Sequence, residues 1–214
     1  MSQGHLIIFE GMDGSGKSTL AQAVLSCSTE QGWWLKPPTS MAFPSHDGEV
    51  GKLIRRVFSG DVQVGGGIRS TASVLGYLMV ADAVDIEPML LGHIADGTSV
   101  LCDRHATVSG WAYQRECWST DQILAIQQRE QFHRATVTFI LDVPVVVAME
   151  RINLRGSRNP IYEMEGIPYV SRLRARYVAY AAMHDDVVVL DGTRPIDQLI
   201  AQVHSHLKQR KVLV

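Results

Sequence analysis

Lys17 and Ser18 close a run, GMDGSGKST at residues 11 to 19, with the spacing G-x-x-x-x-G-K-[ST]. Its glycines let backbone N–H groups close around phosphate oxygens, while the helix that follows directs its positive dipole end at them. Lys17 would reach the β and γ phosphates and the Ser18 hydroxyl would take a place on Mg²⁺. Gly11, Gly14, Ser15, Gly16, Lys17, Ser18 and Thr19 therefore form the candidate triphosphate-binding set. A plain Gly-rich turn has no use for Gly16-Lys17-Ser18 together.

A second constellation, Asp103-Arg104 within SVLCDRHATVSGWAYQ (residues 99 to 114), puts a carboxylate and a guanidinium at the end of an apolar run. An Arg there can clamp a second phosphate bidentately and bring an acceptor into line with a donor. An ordinary strand-end ion pair is the other reading of this segment alone. Arg151, Arg155 and Arg158 fall at i, i+4 and i+7, one face of a helix if helical geometry persists that far. Three guanidinium groups on one face call for an anion between them, unless the face is simply solvated.

These groups must be carried by a scaffold. The β-branched runs LIIF (6 to 9), SVLC (99 to 102), VTFIL (137 to 141) and VVVL (187 to 190) alternate with helical patterns. Such alternation predicts a parallel sheet covered on both faces, with ligands at the carboxyl ends of the strands, where Glu10, Asp103, Asp142 and Asp191 lie. A further short strand is expected near Trp33 to Lys36, limited by Pro37-Pro38. GDVQVGGG (60 to 67) reads as a loop. Residues 70 to 95 form a long, mostly apolar helical pattern interrupted by Pro88; apolar on more than one face, it calls for a second subunit as well as the core, or for a central place in a monomer's core.

The 214 residues suit one sizeable domain, spanning 1 to 214. A net charge of −2 with 20% charged residues gives no basic field for nucleic acid. Three scattered cysteines fit reduced thiols better than disulfides or zinc. The apolar run VTFILDVPVVVAM is broken by Asp142 and Pro144, so no membrane segment is expected and the protein should be cytoplasmic.

FEGMDGSGKST, FPSHDGEVGKLI, CDRHATVSGWAYQ, RGSRNPIYE and SRLRARY, in that order over nearly the whole chain, resemble the thymidylate kinases of the P-loop nucleoside monophosphate kinase superfamily. The resemblance implies a three-layer P-loop kinase fold: a central parallel sheet of about five strands, helices on both faces and an Arg-rich lid at about 151–168. It also implies ATP as donor, a deoxynucleoside monophosphate as acceptor, Mg²⁺, and a homodimer through the long helix. Asp13 corresponds to the acid that binds the sugar 3′-hydroxyl near the metal, and Arg104 to the ligand of the acceptor phosphate. Phe43-Pro44 matches the turn lining the acceptor pocket; Tyr113, beside Gly110, matches the ring that crowds a 2′-hydroxyl. Asp103 joins Ser18 as a metal candidate. Arg151, Thr193 and Arg194, the last two in DGTRP, are expected at ATP. Arg155 and Arg158, with Tyr162 nearby, are expected over the transferring phosphoryl group. Relatives can carry an Arg at the position of Gly14, and members lacking it supply the charge from the lid; with Gly14 and the lid arginines, this sequence resembles the lid-supplied type.

One departure concerns the base. Relatives carry a stacking aromatic residue and, one turn later, an Arg for thymine O4 where this chain has Met79 and Ala83. dTMP or a related, 5-modified pyrimidine is the expected acceptor. The second phosphate of a monophosphate has a pKa of about 6, so its attacking oxygen needs no general base near neutrality and no catalytic His is expected. The rival readings are another P-loop small-molecule or nucleoside kinase, which would require a base for a neutral hydroxyl, and a nucleotide-dependent switch or binding protein. Neither the Asn-Lys-x-Asp segment of GTPases nor the Leu-Ser-Gly-Gly signature of ABC-type ATPases occurs.

Overall fold

The computed structural model describes residues 3–155 and 165–213. The apolar runs become strands β1 (Leu6–Glu10), β3 (Val100–Asp103), β4 (Val137–Asp142) and β5 (Val187–Asp191), joined by β2 (Thr39–Ala42). All pairings are parallel and the order is β2-β3-β1-β4-β5. Helices α1 (Lys17–Glu30), α2 (Glu49–Phe58), α3 (Ile68–Ala95), α4 (Ala106–Tyr113), α5 (Thr120–Glu130), α6 (Val145–Arg155), α7 (Ile167–Ala181) and α8 (Ile196–Gln209) connect them.

β1 is buried throughout, which is why its sequence is continuously apolar rather than alternating. Its pleat sends Ile7 and Phe9 to one face, where Leu20 and Val24 of α1 and Val203 and Leu207 of α8 cover them. Leu6 and Ile8 face the other way, onto Leu90 and Ile94 of α3. A separate cluster on that side joins Met12, Ile54, Val108, Ile140 and Tyr177. Glu10, Asp103, Asp142 and Asp191 are each the last residue of a strand, so one edge of the sheet gathers the carboxylates. Asp142 and Asp191 are direct partners in the ladder. Arg174 neutralises Asp142 with two hydrogen bonds, at 2.7 and 2.8 Å.

Two expectations are corrected. No strand forms at 33 to 36; Pro37 and Pro38 lack N–H donors, so the ladder starts after them, with Thr39 N–H on Ser99 O at 2.9 Å. The long helix is not interrupted at Pro88 but runs from Ile68 to Ala95. An interior proline costs a helix about 3 kcal/mol or more. Here Pro88 is exposed, and the flanking Ile86 and Leu90 are buried on the other side, so packing overrides local preference. Among the described residues no helix is long and apolar enough to cross a membrane.

Candidate active site

The loop between β1 and α1 is shaped by left-handed backbone: Gly14 and Gly16 have φ of 79° and 97°. A Cβ on Gly14 would meet Ala148 O at 2.4 Å, so an arginine cannot be placed there without moving α6. Lys17, the first residue of α1, is 7% exposed, with Nζ 3.5 Å from Asp13 Oδ1. Burial lowers the Lys17 pKa and nearby Arg104 lowers it further, against the pull of the Asp13, Asp103 and Glu10 carboxylates. A phosphate placed against this ammonium would stabilise its charge.

α6 carries the arginines of the spacing argument, and they part company. The Arg151 guanidinium donates to Gly14 O (3.1 Å) and Ser15 O (3.3 Å) and reaches Gly192 O (3.5 Å), tying the phosphate loop to the turn that holds Thr193 and Arg194. That turn is fixed in its own right, because the Thr193 N–H and hydroxyl both donate to Asp191. Arg155, the last residue of α6, instead lines the cavity beside the loop. Arg158 and Tyr162 lie outside the described residues.

That cavity, of about 430 Å³, gathers Asp13, Gly14, Lys17, Ser18, Phe43, Pro44, Met79, Asp103, Arg104, Gly110, Tyr113 and Arg155 around one space. Ala83 does not belong to it. One turn beyond Met79, its methyl group is buried in a cluster with Phe43, Ile86, Ala106 and Phe132, behind the wall rather than on it. A small apolar side chain on the face of α3 that meets α4 is drawn into the core.

Arg104 is the centre of the site. It has φ of 72°, rare for a residue with a side chain. Nη1 donates to Tyr177 Oη at 2.9 Å and to Glu10 Oε2 at 3.3 Å; Nη2 donates to Tyr113 Oη at 2.9 Å and pairs with Asp13. Burial alone would weaken its charge, but Tyr113, Tyr177, Asp13 and Glu10 outweigh it and hold the guanidinium firmly protonated. His105, 3% exposed, is drawn down to a pKa of about 4 by burial, with His133 adding to the effect. It stays neutral at working pH, and its ring accepts the Thr107 N–H at 3.4 Å, capping α4.

Asp103 Oδ1 is buried without a hydrogen-bond partner among the described residues, and Asp103 and Ser18 line the same space. Mg²⁺ suits such a place, because it retains several waters and binds through one or two protein oxygens plus phosphates. Among the described residues no group of three or more His, Cys, Asp or Glu is placed for a metal.

Sequence reasoning missed four residues. Gln114 lines the cavity together with Met79; it closes the Ala-Tyr-Gln segment, and its position directly after Tyr113 was the available signal. Arg55 of α2 also lines it, half-buried, donating to the Pro44 and Ser45 carbonyls, the latter at 3.2 Å. A helical reading places Arg55 between Gly51 and Phe58 on the inward face of α2, and a charge on an inward face is a detectable anomaly. Glu10 and Tyr177, behind Arg104, are the other two. Tyr177 closes the SRLRARY segment, but nothing local ties it to Arg104, 73 positions away.

The family profile for thymidylate kinase matches residues 9–203. A probable thymidylate kinase of Pyrococcus horikoshii is 29% identical over 214 residues, covering 96% of this chain and 97% of that protein. Among solved structures, the thymidylate kinase of Candida albicans, described as having broad substrate specificity, superposes with a TM-score of 0.75 at 19% identity, over 100% of this chain and 96% of that one.

Proposed function

The chain belongs to the thymidylate kinase family, and from that premise we propose that its cavity receives dTMP, or a related and 5-modified pyrimidine deoxynucleotide, for phosphorylation by ATP to the diphosphate. As a family member it is a nucleoside monophosphate kinase that uses ATP. The observation that carries the reading is the convergence of Arg104, Tyr113, Asp13 and Lys17 on one cavity beside the phosphate loop. The whole chain serves as one kinase domain, with its lid within about 151–168, acting in the cytoplasm.

In this reading the acceptor phosphate lies on the Nη2 side of Arg104, with Arg55 as a second cation. Asp13 holds the 3′-hydroxyl and Tyr113 crowds the 2′ position. The acceptor oxygen is already deprotonated near neutrality, so the protein's work is alignment and charge neutralisation by Lys17, Arg104, Arg155 and Arg158. Ser18 and Asp103 would hold Mg²⁺, which would supply Lewis-acid neutralisation of the triphosphate's charge. Arg151, with Thr193 and Arg194, borders the donor base.

The base is met by Met79 and Gln114. A thioether adapts to several ring shapes, and an amide can offer either a donor or an acceptor to a pyrimidine edge. Discrimination by polar readout, worth about 1 to 3 kcal/mol where a wrong base leaves groups unpaired, should therefore be weaker than with an arginine on O4. A panel of nucleoside and deoxynucleoside monophosphates with ATP and Mg²⁺ tests this. dTMP should be accepted, dCMP or a 5-substituted pyrimidine should fall within tenfold of it in kcat/KM, and ribonucleotides should be poor. Strict dTMP preference would refute the relaxed base reading, and activity on no monophosphate would refute the function.

A further inference from the structure

Glu10 and Tyr177 touch Arg104 but do not line the cavity, whereas Asp13 and Tyr113, on the other edge of the same guanidinium, do. We propose that Glu10 and Tyr177 are positioning residues for the acceptor phosphate: they fix the Nη1 edge of Arg104 from behind and thereby aim its Nη2 edge at the substrate.

The Glu10 carboxylate is fully buried. Its Oε2 accepts from Tyr177 Oη (2.8 Å), Arg104 Nη1 (3.3 Å) and Gly11 N (3.3 Å); its Oε1 accepts from Ser109 Oγ (2.6 Å) and His105 N (3.0 Å). A buried carboxylate with this many donors is locked in orientation and remains an acceptor. Tyr177, buried on α7, has one proton, and the geometry divides its roles: the hydroxyl gives that proton to Glu10 and accepts from Arg104. Burial first, and Glu10 second, push its pKa well above the ordinary value, so the phenol stays protonated at working pH. Arg104, held in an unfavourable backbone region, depends on side-chain anchors of this kind. On the front edge, Asp13 is a ligand that an incoming phosphate can share or displace; on the rear edge nothing from solvent competes.

The inference rests on Arg104 being the ligand of the acceptor phosphate. Tyr177→Phe keeps the ring and deletes both hydrogen bonds. It should lower kcat/KM for dTMP by about tenfold, mainly through the acceptor KM, while the KM for ATP stays within about twofold. Glu10→Gln should show the same pattern more strongly; if that variant is insoluble, Tyr177→Phe decides alone. In an Arg104→Ala background, Tyr177→Phe should have no further effect, since its action passes through the missing guanidinium. An active wild-type enzyme in which Tyr177→Phe changes nothing, impairs ATP and dTMP equally, or adds its full effect to Arg104→Ala overturns this inference alone. A wild-type enzyme with no monophosphate kinase activity overturns the proposed function and this inference with it.

Discussion

Asp82 accepts both the backbone N–H and the hydroxyl of Ser45, at 2.8 and 2.6 Å, and so fastens the middle of α3 to the loop that follows Phe43-Pro44. The carboxylate is fully buried. Space around the pair is tight: a Cβ on Gly51 would meet Ser45 O at 2.2 Å and Asp82 Oδ1 at 2.8 Å. The cavity wall at Phe43-Pro44 is thus held by a polar latch between α3 and the loop that follows it.

Asp82→Ala leaves the Ser45 N–H and hydroxyl without their partner and should cost about 2 to 4 kcal/mol in denaturant unfolding, with a raised acceptor KM in what folds. Gly51→Ala should damage the same loop by steric displacement. Wild-type unfolding midpoints for both would show the latch to be incidental.

Lys17→Ala and Arg104→Ala should each lower kcat/KM by at least about a hundredfold, because each removes a preorganised charge at a phosphate. Circular dichroism should show both folded. Near-normal turnover by either removes that residue from the mechanism.

The pH profile should have limbs of different origin. On the acid side the rate should climb through about pH 6 as the acceptor phosphate loses its second proton. His105→Asn should leave that limb in place, since His105 is already neutral there. On the alkaline side, Lys17 has its pKa lowered in the free enzyme, so kcat/KM for ATP should fall at a pH below the ordinary lysine range. The stability sign is opposite: the folded state gives up this proton before the unfolded one, so the Lys17 contribution improves as pH rises toward the unfolded value. An acid limb that moves with His105→Asn would mean a protein base is at work.

Tyr77, Val84 and Leu91 recur every seven residues along α3 and are exposed. An apolar stripe of this kind on a 28-residue helix supports a homodimer. Leu91→Arg should yield monomers by sedimentation at micromolar concentration. Leu78 is a poorer probe than its sequence position suggests, because it also packs against the core. A monomeric wild-type chain would exclude the dimer.

Legibility in the sequence followed distance along the chain. The phosphate loop, the strands β1, β3, β4 and β5 and their terminal carboxylates could be read because each is contiguous and dictated by local pattern. β2 was misplaced because four residues of an edge strand, half-buried as they are, carry little periodicity. The Arg104 environment was half-legible: the resemblance gives roles to Asp13 and Tyr113, whereas Glu10 and Tyr177, inside FEGMDGSGKST and SRLRARY, have none until the fold brings them against the guanidinium. The spacing of Arg151 and Arg155 was read correctly as one helix, yet the helix alone could not tell that Arg151 would be claimed by main-chain carbonyls.

The sheet order β2-β3-β1-β4-β5 puts the phosphate-loop strand in the middle, with the chain filling one flank from the edge inward and then the other from the centre outward. Phe43, Arg55, Met79, Arg104, Tyr113 and Gln114 all precede β4, and Arg151, Arg155 and the turn after β5 all follow its start. In the proposed reading, most side chains that would meet the acceptor therefore fall within one stretch, 39 to 114, with Asp13 and Tyr177 serving it from outside, whereas the turn that would border the donor base follows β5. Exchange of that stretch would reshape the cavity around the base while leaving the phosphate loop and the turn after β5 in place.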